Sequence, residues 1–327
     1  MKNLKQIKSM IRWNLFSKPI LKEAKIKGWI VHPFTQKFKD FFLEENIKKK
    51  QEILENSLDE KSKNHVRVFI NRMMNFPSLH YFGSIIGFWE DILKIENLGY
   101  DVVEINNFIK KEIKPKFIFP SFVSEVFYFD HGLKFLDQKA LNYLKDKDFI
   151  DCGAWKGDSA LTFLKYQPRK IYSLEVYKKF VDEFEEVMRL NGIAKKKAEI
   201  FNFGTSNKIQ KINFAAIDSP GNNIHSGGEE EVNITTIDDF VEKNNLNPSL
   251  IKIDVEGEEM NSIMGAKKTI QKFKPIITSA IYHEPHQFFE LKPLLESWNL
   301  GYKFIIRALR SNVTPMEMTL IAIPEIN

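Results

Sequence analysis

Carboxylate side chains stand at the ends of three apolar segments in the second half of the sequence. Asp151 belongs to the end of the first segment, Glu175 closes the second, and Asp254 and Glu256 follow the third. A charged side chain at the end of a buried strand lowers the stability of the fold unless another group, in the protein or in a ligand, offsets the charge. In open α/β sheets, ligands bind outside the carboxyl ends of the strands. These residues therefore predict a ligand site along one edge of a parallel sheet.

The first of these strand ends, residues 149–158, reads Phe-Ile-Asp-Cys-Gly-Ala-Trp-Lys-Gly-Asp. Gly153 and Gly157 let the backbone turn sharply and approach a ligand closely. The spacing differs from the Gly-x-Gly-x-x-Gly of a dinucleotide site, which positions a pyrophosphate. Asp151 and Asp158 would repel a pyrophosphate, but they suit the ammonium and sulfonium groups of S-adenosylmethionine. A purely structural turn between strand and helix is the alternative.

Glu175 ends the second predicted strand, where a carboxylate can accept hydrogen bonds from both ribose hydroxyls of an adenosine. The alternative is a solvated glutamate that opens the next helix, where its charge suits the helix dipole. Because Glu175 occurs together with the glycine-bearing loop, we predict that it binds ribose.

His283 stands at the end of a later predicted strand, beside the acids that follow the third apolar segment. Imidazole titrates near neutral pH, so His283 is the candidate general base. Asp254, His283 and Glu284 could also hold one hard divalent cation, an alternative that we do not favour. Glu258 and Glu259 begin a helix, where acids are expected for dipole reasons, and receive no functional role.

The elements that must position these residues alternate between strand and helix patterns from about residue 147. Strands are predicted at Asp148–Cys152, Lys170–Glu175, Ala198–Phe203, Ser249–Asp254, Pro275–Tyr282, Tyr302–Ala308 and Met318–Ile323. Helices are predicted at Asp158–Lys165, Tyr177–Asn191, Glu258–Phe273 and Gln287–Trp298. This alternation implies a parallel sheet covered by helices on both faces, and the short last connection implies an antiparallel final pair.

An irregular segment separates the third predicted strand from the fourth. Ile212–Ala216 and Glu231–Thr235 alternate like edge strands, and residues 218–228 between them have the composition of a loop.

The first third of the chain is mostly helical in pattern, over Thr35–Asn56, Asp59–Met74 and Ser84–Glu96. We predict a helical N-terminal region over residues 1–120, which selects the acceptor or makes contacts in a homo-oligomer, and a second domain over residues 121–327. Residues 1–16 form a basic amphipathic pattern that favours a packed helix, with peripheral membrane contact as the alternative.

Composition excludes several classes of protein. The net charge is +5, and the lysines are spread along the chain, which argues against nucleic-acid binding. Cys152 is the single cysteine, so a disulfide framework is excluded and a reducing compartment is favoured. The sequence has no apolar run near the ~20 residues of a membrane span and no signal-peptide pattern, so a cytoplasmic location is expected.

Several blocks taken together resemble the FkbM family, a branch of the class I S-adenosylmethionine-dependent methyltransferases. In chain order the blocks are Phe127–Phe135, Phe149–Ser159, Ser173–Glu175, Thr236–Asp239, Ile251–Gly257, Gly265–Ala266, Lys274–Pro275 and Ile281–His283. Their order and intervals fit the family over about residues 121–327. We identify no family resemblance for the helical first third.

The resemblance implies the Rossmann-like class I methyltransferase fold, an α/β domain with a seven-stranded sheet whose last strand is antiparallel. It implies S-adenosylmethionine as cofactor and S-adenosylhomocysteine as product, with the 149–158 loop at the methionine part and residues 202–204 near the adenine. The cofactor-binding residues predicted in this way are Asp151, Gly153, Ala154, Trp155, Gly157, Asp158, Glu175, Val176, Asn202, Phe203, Gly204 and Asp254.

Members of this family usually methylate oxygen, often a hydroxyl of a sugar or a natural product. We therefore expect O-methylation of a sugar hydroxyl, on a glycan or a nucleotide-sugar. His283 is the expected base, with Asp254 and Glu256 as further catalytic residues, and Arg307 and Glu284 are the expected acceptor contacts. Where bacterial relatives often show Arg-His, this chain has Arg307 followed by Ala308, so no role in substrate binding is assigned to the second position.

Other functions remain as alternatives at this stage. They are an N-methyltransferase or small-molecule methyltransferase, a nicotinamide-dependent oxidoreductase on a similar sheet, and a non-catalytic Rossmann-like interaction module. The oxidoreductase is disfavoured because the phosphate-binding fingerprint is absent. The non-catalytic module is disfavoured because the strand-end acids are all present.

Overall fold

The computed structural model describes residues 29–32, 35–75, 85–88, 98–214, 230–309 and 317–326. The amphipathic pattern predicted at residues 1–16 and the loop predicted at residues 218–228 lie outside these ranges. Within them, no helix has the length and the apolar composition needed to cross a membrane.

The described N-terminal third contains four α-helices and a small β-ribbon. In chain order these are β1 (Trp29–His32), α1 (Thr35–Glu44), α2 (Ile47–Glu55), α3 (Glu60–Asn75), β2 (Ile85–Phe88) and α4 (Val102–Phe108). The helix predicted over Thr35–Asn56 is therefore two helices, because Asn46 caps the second one by accepting a hydrogen bond from the Lys49 N–H.

The helical prediction for Ser84–Glu96 is wrong at Ile85–Phe88, which is strand β2. It pairs antiparallel with β1, more than fifty residues earlier in the chain. A pairing between such distant segments leaves no signal in the local periodicity of either one.

The second part of the chain alternates between strands and helices, as predicted. Its elements are α5 (Ser124–Phe127), a 3₁₀ turn (Asp130–Phe135), α6 (Gln138–Leu144), β3 (Asp148–Cys152), α7 (Asp158–Phe163), β4 (Lys170–Leu174), α8 (Lys178–Leu190), β5 (Ala198–Phe201), β6 (Gly204–Thr205), β7 (Gln210–Phe214), β8 (Glu230–Thr235), α9 (Ile237–Lys243), β9 (Pro248–Ile253), α10 (Glu259–Met264), α11 (Lys267–Phe273), β10 (Ile276–Ala280), α12 (Pro285–Ser297), β11 (Lys303–Ala308) and β12 (Met318–Ile323).

Seven of the described strands form the main sheet, in the order β11-β12-β10-β9-β3-β4-β5. Strand β12 runs antiparallel to both of its neighbours, and the pairs from β10 to β5 are parallel. The predicted class I methyltransferase fold is therefore confirmed. The chain leaves β3 toward β5 on one side and later builds β9 and β10 on the other. This switch of direction opens a crevice at the carboxyl ends of β3 and β9.

A second, three-stranded sheet has the order β6-β8-β7. The two segments predicted to behave like edge strands are its strands β7 and β8, which pair antiparallel. Strand β6 follows β5 directly and pairs parallel with β8. The small sheet thus fixes the chain just beyond the carboxyl end of β5, where adenine contacts were predicted.

The N-terminal helices pack on the main sheet and on α12 rather than around a core of their own. The Phe69 ring stacks on Phe288 with centroids 4.4 Å apart, and Phe38 meets both rings edge-on. These residues belong to the same hydrophobic cluster as the buried faces of β9 and β10. A boundary at residue 120, and a separate role for the region before it, remain predictions.

Candidate functional site

A cavity of about 370 Å³ opens at the carboxyl ends of β3, β4, β5 and β9. Most residues predicted to bind the cofactor line it: Gly153, Trp155, Asp158, Glu175, Val176, Phe203, Gly204 and Asp254. The described residues before Ser121 contribute nothing to its wall. The structure thus brings together strand ends that are far apart in the sequence.

Four residues predicted to bind the cofactor do not line this cavity. Asp151 is fully buried beneath the loop, with its Oδ1 atom 3.2 Å from Lys252 Nζ. Ala154 is buried in the core, and Gly157 packs against helix α8. Asn202 donates hydrogen bonds to the carbonyls of the two residues that follow β4. These four residues support the loops around the cavity instead of facing a ligand.

Gly153 is the point at which the loop after β3 meets the loop after β9. Its φ is +77°, and a Cβ atom added there would lie 1.7 Å from the Asp254 carbonyl oxygen. Only glycine allows two backbones to approach so closely in this conformation.

Glu175 contacts two loops through the two oxygens of its carboxylate. One is the 149–158 loop, called the cofactor loop because it is predicted to bind S-adenosylmethionine, and the other is the loop that follows β4. Oε2 accepts a hydrogen bond from the Trp155 N–H and Oε1 accepts one from the Tyr177 N–H, each at 2.9 Å. Burial raises the pKa of Glu175 to about 7, although both hydrogen bonds oppose that shift. Each carboxylate oxygen has more than one acceptor site, so the group that fixes the loop can also accept from ribose hydroxyls.

The predicted grouping of His283 with Asp254 and Glu256 is present. His283 is buried after β10, with Nε2 3.2 Å from Glu256 Oε2 and 3.8 Å from Asp254 Oδ1. Asp254 and Glu256 line the cavity directly, and His283 lies behind them. Glu256 has φ +54°, a backbone strain that often accompanies functional loops.

The charges around His283 change its expected role. Burial alone would lower its pKa, but Glu259, Glu256 and Asp254 raise the pKa to about 10. His283 is therefore an imidazolium at neutral pH and cannot accept a proton there. Glu256 is better placed to do so, because burial raises its pKa to about 7 while His283 holds it down.

Glu259 belongs to the same group of side chains, although its position at the start of a helix indicated no functional role. Its carboxylate is fully buried and accepts hydrogen bonds from the Val255 N–H at 2.9 Å and the Gly257 N–H at 3.0 Å. Oε1 also lies 2.8 Å from His283 Nδ1. Burial would raise the pKa of Glu259, but His283 and the hydrogen bonds lower it. Glu259 is thus the fixed counter-ion that orients the imidazolium.

Further polar groups reach the cavity from segments that were not assigned to it. They are Glu125, His131, Ser159, Lys252, Tyr282 and Glu317. Ser159 Oγ lies 2.8 Å from His131 Nε2, and His131 Nδ1 lies 3.2 Å from Glu125 Oε1. Glu125 and Lys252 each interrupt an apolar run, and this is the sequence signal that could have identified them.

Arg307 and Glu284, the predicted acceptor contacts, do not line the cavity. Arg307 is buried and pairs with Asp59, the residue before α3, with Nη2 2.9 Å from Oδ2, and it also donates to Ser62 in α3. Glu284 forms an ion pair with Lys37 of α1. The prediction failed because the N-terminal helices, whose position the sequence did not reveal, cover this part of the fold.

Replacing Arg307 with methionine should destabilise the protein without weakening cofactor binding. Burial opposes ionisation of Asp59, but hydrogen bonds from Arg307 and Ser62 lower the pKa of Asp59 to about 2. The expected loss in unfolding free energy is about 1–2 kcal/mol, below that of a fully buried pair because 47% of the Asp59 side chain is exposed. Chemical denaturation measures it, with the exposed Arg67→Met as the matched control.

Two groups of side chains have ligand atoms close enough to hold a cation, Asp254–Glu259–His283 and Glu125–Asp254–Glu317, each within 4.8 Å. In the first group, both His283 nitrogens already face carboxylates. The set proposed from the sequence, with Glu284, is not assembled, because Glu284 pairs with Lys37. We assign no metal to either group.

Residues 151–304 match the family model described as the methyltransferase FkbM domain. This segment is therefore similar to the FkbM methyltransferases. The match begins at the end of β3 and includes the strand ends of the cavity on β4, β5, β9 and β10. A search of curated proteins gave no match.

One solved structure shares the fold over most of this chain, and a second is more distantly similar. Methyltransferase FkbM from Methylobacillus flagellatus KT is 16% identical, with a TM-score of 0.55 over 88% of this chain and 60% of that one. This chain therefore spans about 60% of the length of that relative. An rRNA methylase from Streptococcus thermophilus has 11% identity and a TM-score of 0.34, over 57% of this chain and 92% of its own. That similarity is too distant to inform fold or function.

The matched segment is similar to a methyltransferase domain and contains most of the residues that line the cavity. The chemistry of the cavity agrees with a cationic cofactor. Among the described residues, six carboxyl groups line it against the single ammonium group of Lys252; the acids are Glu125, Asp158, Glu175, Asp254, Glu256 and Glu317. Such an excess of carboxylates favours a ligand that carries sulfonium and ammonium groups.

Proposed function

We propose that the enzyme methylates a hydroxyl group of a sugar, on a glycan or a nucleotide-sugar. The observation that carries the proposal is the grouping of Asp254, Glu256 and His283 at one wall of the cavity. A sugar hydroxyl is a weak nucleophile near neutral pH, so its methylation benefits from a group that removes the proton. Glu256 provides such a group.

In this proposal, some residues of the cavity bind the cofactor and others take part in proton transfer. When bound, S-adenosylmethionine supplies an electrophilic methyl group on a sulfonium ion. Glu175 accepts hydrogen bonds from ribose, and the cavity carboxylates offset the positive charge of the cofactor. The close packing of Gly153 on Asp254 sets the distance between the cofactor loop and the proposed catalytic acids.

Glu256 takes up the proton of the acceptor hydroxyl in this mechanism. General-base assistance contributes typically 10²–10⁴-fold in rate. The His283 imidazolium holds Glu256 and Asp254 in place, and Glu259 holds the imidazolium from the other side. Alignment of the acceptor with the methyl group would supply much of the remaining acceleration.

Replacing Glu175 with alanine should weaken S-adenosylhomocysteine binding by about 10–100-fold, because ribose loses a charged acceptor and the cofactor loop loses its anchor at the Trp155 N–H. Isothermal titration calorimetry measures the change. Glu199→Ala is the matched control, since Glu199 lies on neighbouring β5 and pairs with Lys170 outside the cavity. Unchanged affinity in Glu175→Ala would contradict the ribose assignment.

The acceptor is tested by incubating the enzyme with methyl-labelled S-adenosylmethionine and separate pools of neutral glycosides, nucleotide-sugars and amines. Label recovered in a sugar methyl ether supports the proposal. Label recovered only in an amine would instead support N-methylation, which the acidic cavity also favours. Cofactor binding without transfer to any sugar would count against the proposed acceptor class, and failure to bind the cofactor would count against the whole assignment.

A further inference from the structure

Lys252 is a lysine inside an apolar parallel strand. It lies in β9 between two isoleucines, and only 3% of its surface is exposed. A buried ammonium group is costly unless it is paired and hydrogen-bonded. The ammonium group therefore requires partners that offset the free-energy cost of its burial.

Those partners come from the end of β3. Lys252 Nζ donates to the Gly153 carbonyl at 2.7 Å and lies 3.2 Å from Asp151 Oδ1. The Cys152 carbonyl is 3.4 Å away. Residues 151 and 252 are neighbours in register in the parallel pair β3–β9, so their side chains leave the same face of the sheet.

The lysine thus ties together two loops that both line the cavity. Its own strand leads into the Asp254–Gly257 turn, and the carbonyl that it holds belongs to Gly153. The same glycine packs its α-carbon against the Asp254 carbonyl. Without these contacts, the cofactor loop could move relative to the proposed catalytic acids that face it. Small displacements there would strongly lower the reaction rate.

Charge gives Lys252 a second effect on the site. Burial would lower its pKa, but Asp151, Asp254, Asp158 and Glu125 raise it, so the ammonium group stays protonated. In return, Lys252 opposes the rise in pKa that burial causes at Glu125, Asp158 and Glu175. In the described part of the chain, no other ammonium group lines the cavity.

We propose that Lys252 is a positioning residue of the cofactor site, which holds the Gly153 carbonyl and Asp151 in place and supplies the counter-charge for the cavity carboxylates. Asp151 then acts through Lys252 rather than by touching the cofactor. The inference rests on the assignment of this cavity to S-adenosylmethionine.

The test compares Lys252→Met with the double variant Asp151→Asn/Lys252→Met. Titration calorimetry follows binding of S-adenosylhomocysteine and of sinefungin, a cationic analogue of the cofactor, from pH 6 to pH 9. We expect Lys252→Met to lose at least about 10-fold in affinity for both ligands. The double variant removes both buried charges, so its melting temperature should recover while its affinity stays low, because the Gly153 carbonyl still lacks its donor.

The pH dependence separates this role from simple support of the fold. Without Lys252, the carboxyl groups of Glu125, Asp158 and Glu175 stay protonated up to a higher pH. The rise in sinefungin affinity with pH should therefore shift to higher pH in Lys252→Met. The shift should be smaller in the double variant, because Asp151 itself raises the pKa of Asp158 and Glu175. Lys170→Met is the matched control, since it removes a strand lysine paired with Glu199 outside the cavity and should leave this curve unchanged.

Two results would overturn the inference. One is wild-type affinity in Lys252→Met. The other is recovery of both melting temperature and affinity in the double variant, which would reduce Lys252 to a partner of Asp151. If Lys252→Met does not fold, the double variant carries the comparison. A wild-type protein that binds neither ligand would refute the cofactor assignment itself, which is a separate outcome.

Discussion

Replacing Gly153 with alanine is expected to lower S-adenosylhomocysteine affinity by at least about 100-fold. The new Cβ would lie 1.7 Å from a backbone oxygen, that of Asp254, and no side-chain rotation can relieve this overlap. The loops after β3 and β9 must move apart, and the cofactor loop then loses its place beside Asp254. Calorimetry measures the affinity, and the melting temperature should fall as well.

Gly192→Ala is the matched control for this prediction. Gly192 also has a positive φ, +69°, but a Cβ added there meets nothing within 4 Å. It should show the backbone strain of a left-handed alanine, about 1–2 kcal/mol, with normal affinity. If Gly153→Ala binds the ligand as well as Gly192→Ala does, the close approach of the two loops is not required for binding.

Replacing His283 with alanine should lower kcat by about 10²–10⁴-fold and leave the affinity for S-adenosylhomocysteine within about threefold of the wild-type value. The imidazolium orients Glu256 and Asp254, but it does not line the cavity itself. Its removal also leaves the buried Glu259 carboxylate without its counter-ion. The exposed His286, in the first turn of α12, provides the control variant His286→Ala.

The pH profile of kcat/KM distinguishes the two roles considered for His283. If Glu256 is the base and His283 its charged partner, activity rises through about pH 7, as Glu256 ionises, and falls near pH 10, as His283 loses its proton. If His283 were the base, activity would rise through pH 10 instead. In His283→Ala, the acidic limb should move to higher pH, because the imidazolium no longer holds down the pKa of Glu256.

The strands of the main sheet could be predicted from the sequence because they are buried on both faces and read as continuous apolar runs. The predicted helix over Glu258–Phe273 is instead two helices, α10 and α11. The break falls at Gly265, where a Cβ would lie 2.2 Å from the Ser206 carbonyl oxygen. Ser206 is distant in the sequence, and the apolar periodicity continues across the break, so the local pattern could not reveal it.

The residues of the candidate site could be predicted from the sequence where they lie at the end of a strand. Glu175, Asp254 and Glu256 were found in this way. Glu259 was missed because an acid at the start of a helix has an ordinary explanation, and its buried partner His283 lies on another element. Arg307 was misplaced because its partner Asp59 lies in the N-terminal region, far from it in the sequence.

The N-terminal helices and α12 share one hydrophobic core, so the residues that pack together extend beyond the residues that match the family model. The family match starts at residue 151, yet the rings of Phe38 and Phe69 cover Phe288 of the matched region. A fragment trimmed to the matched residues would expose this aromatic face and would also lack β12, which lies between β11 and β10 in the main sheet. The matched residues are therefore only part of the unit that shares one hydrophobic core.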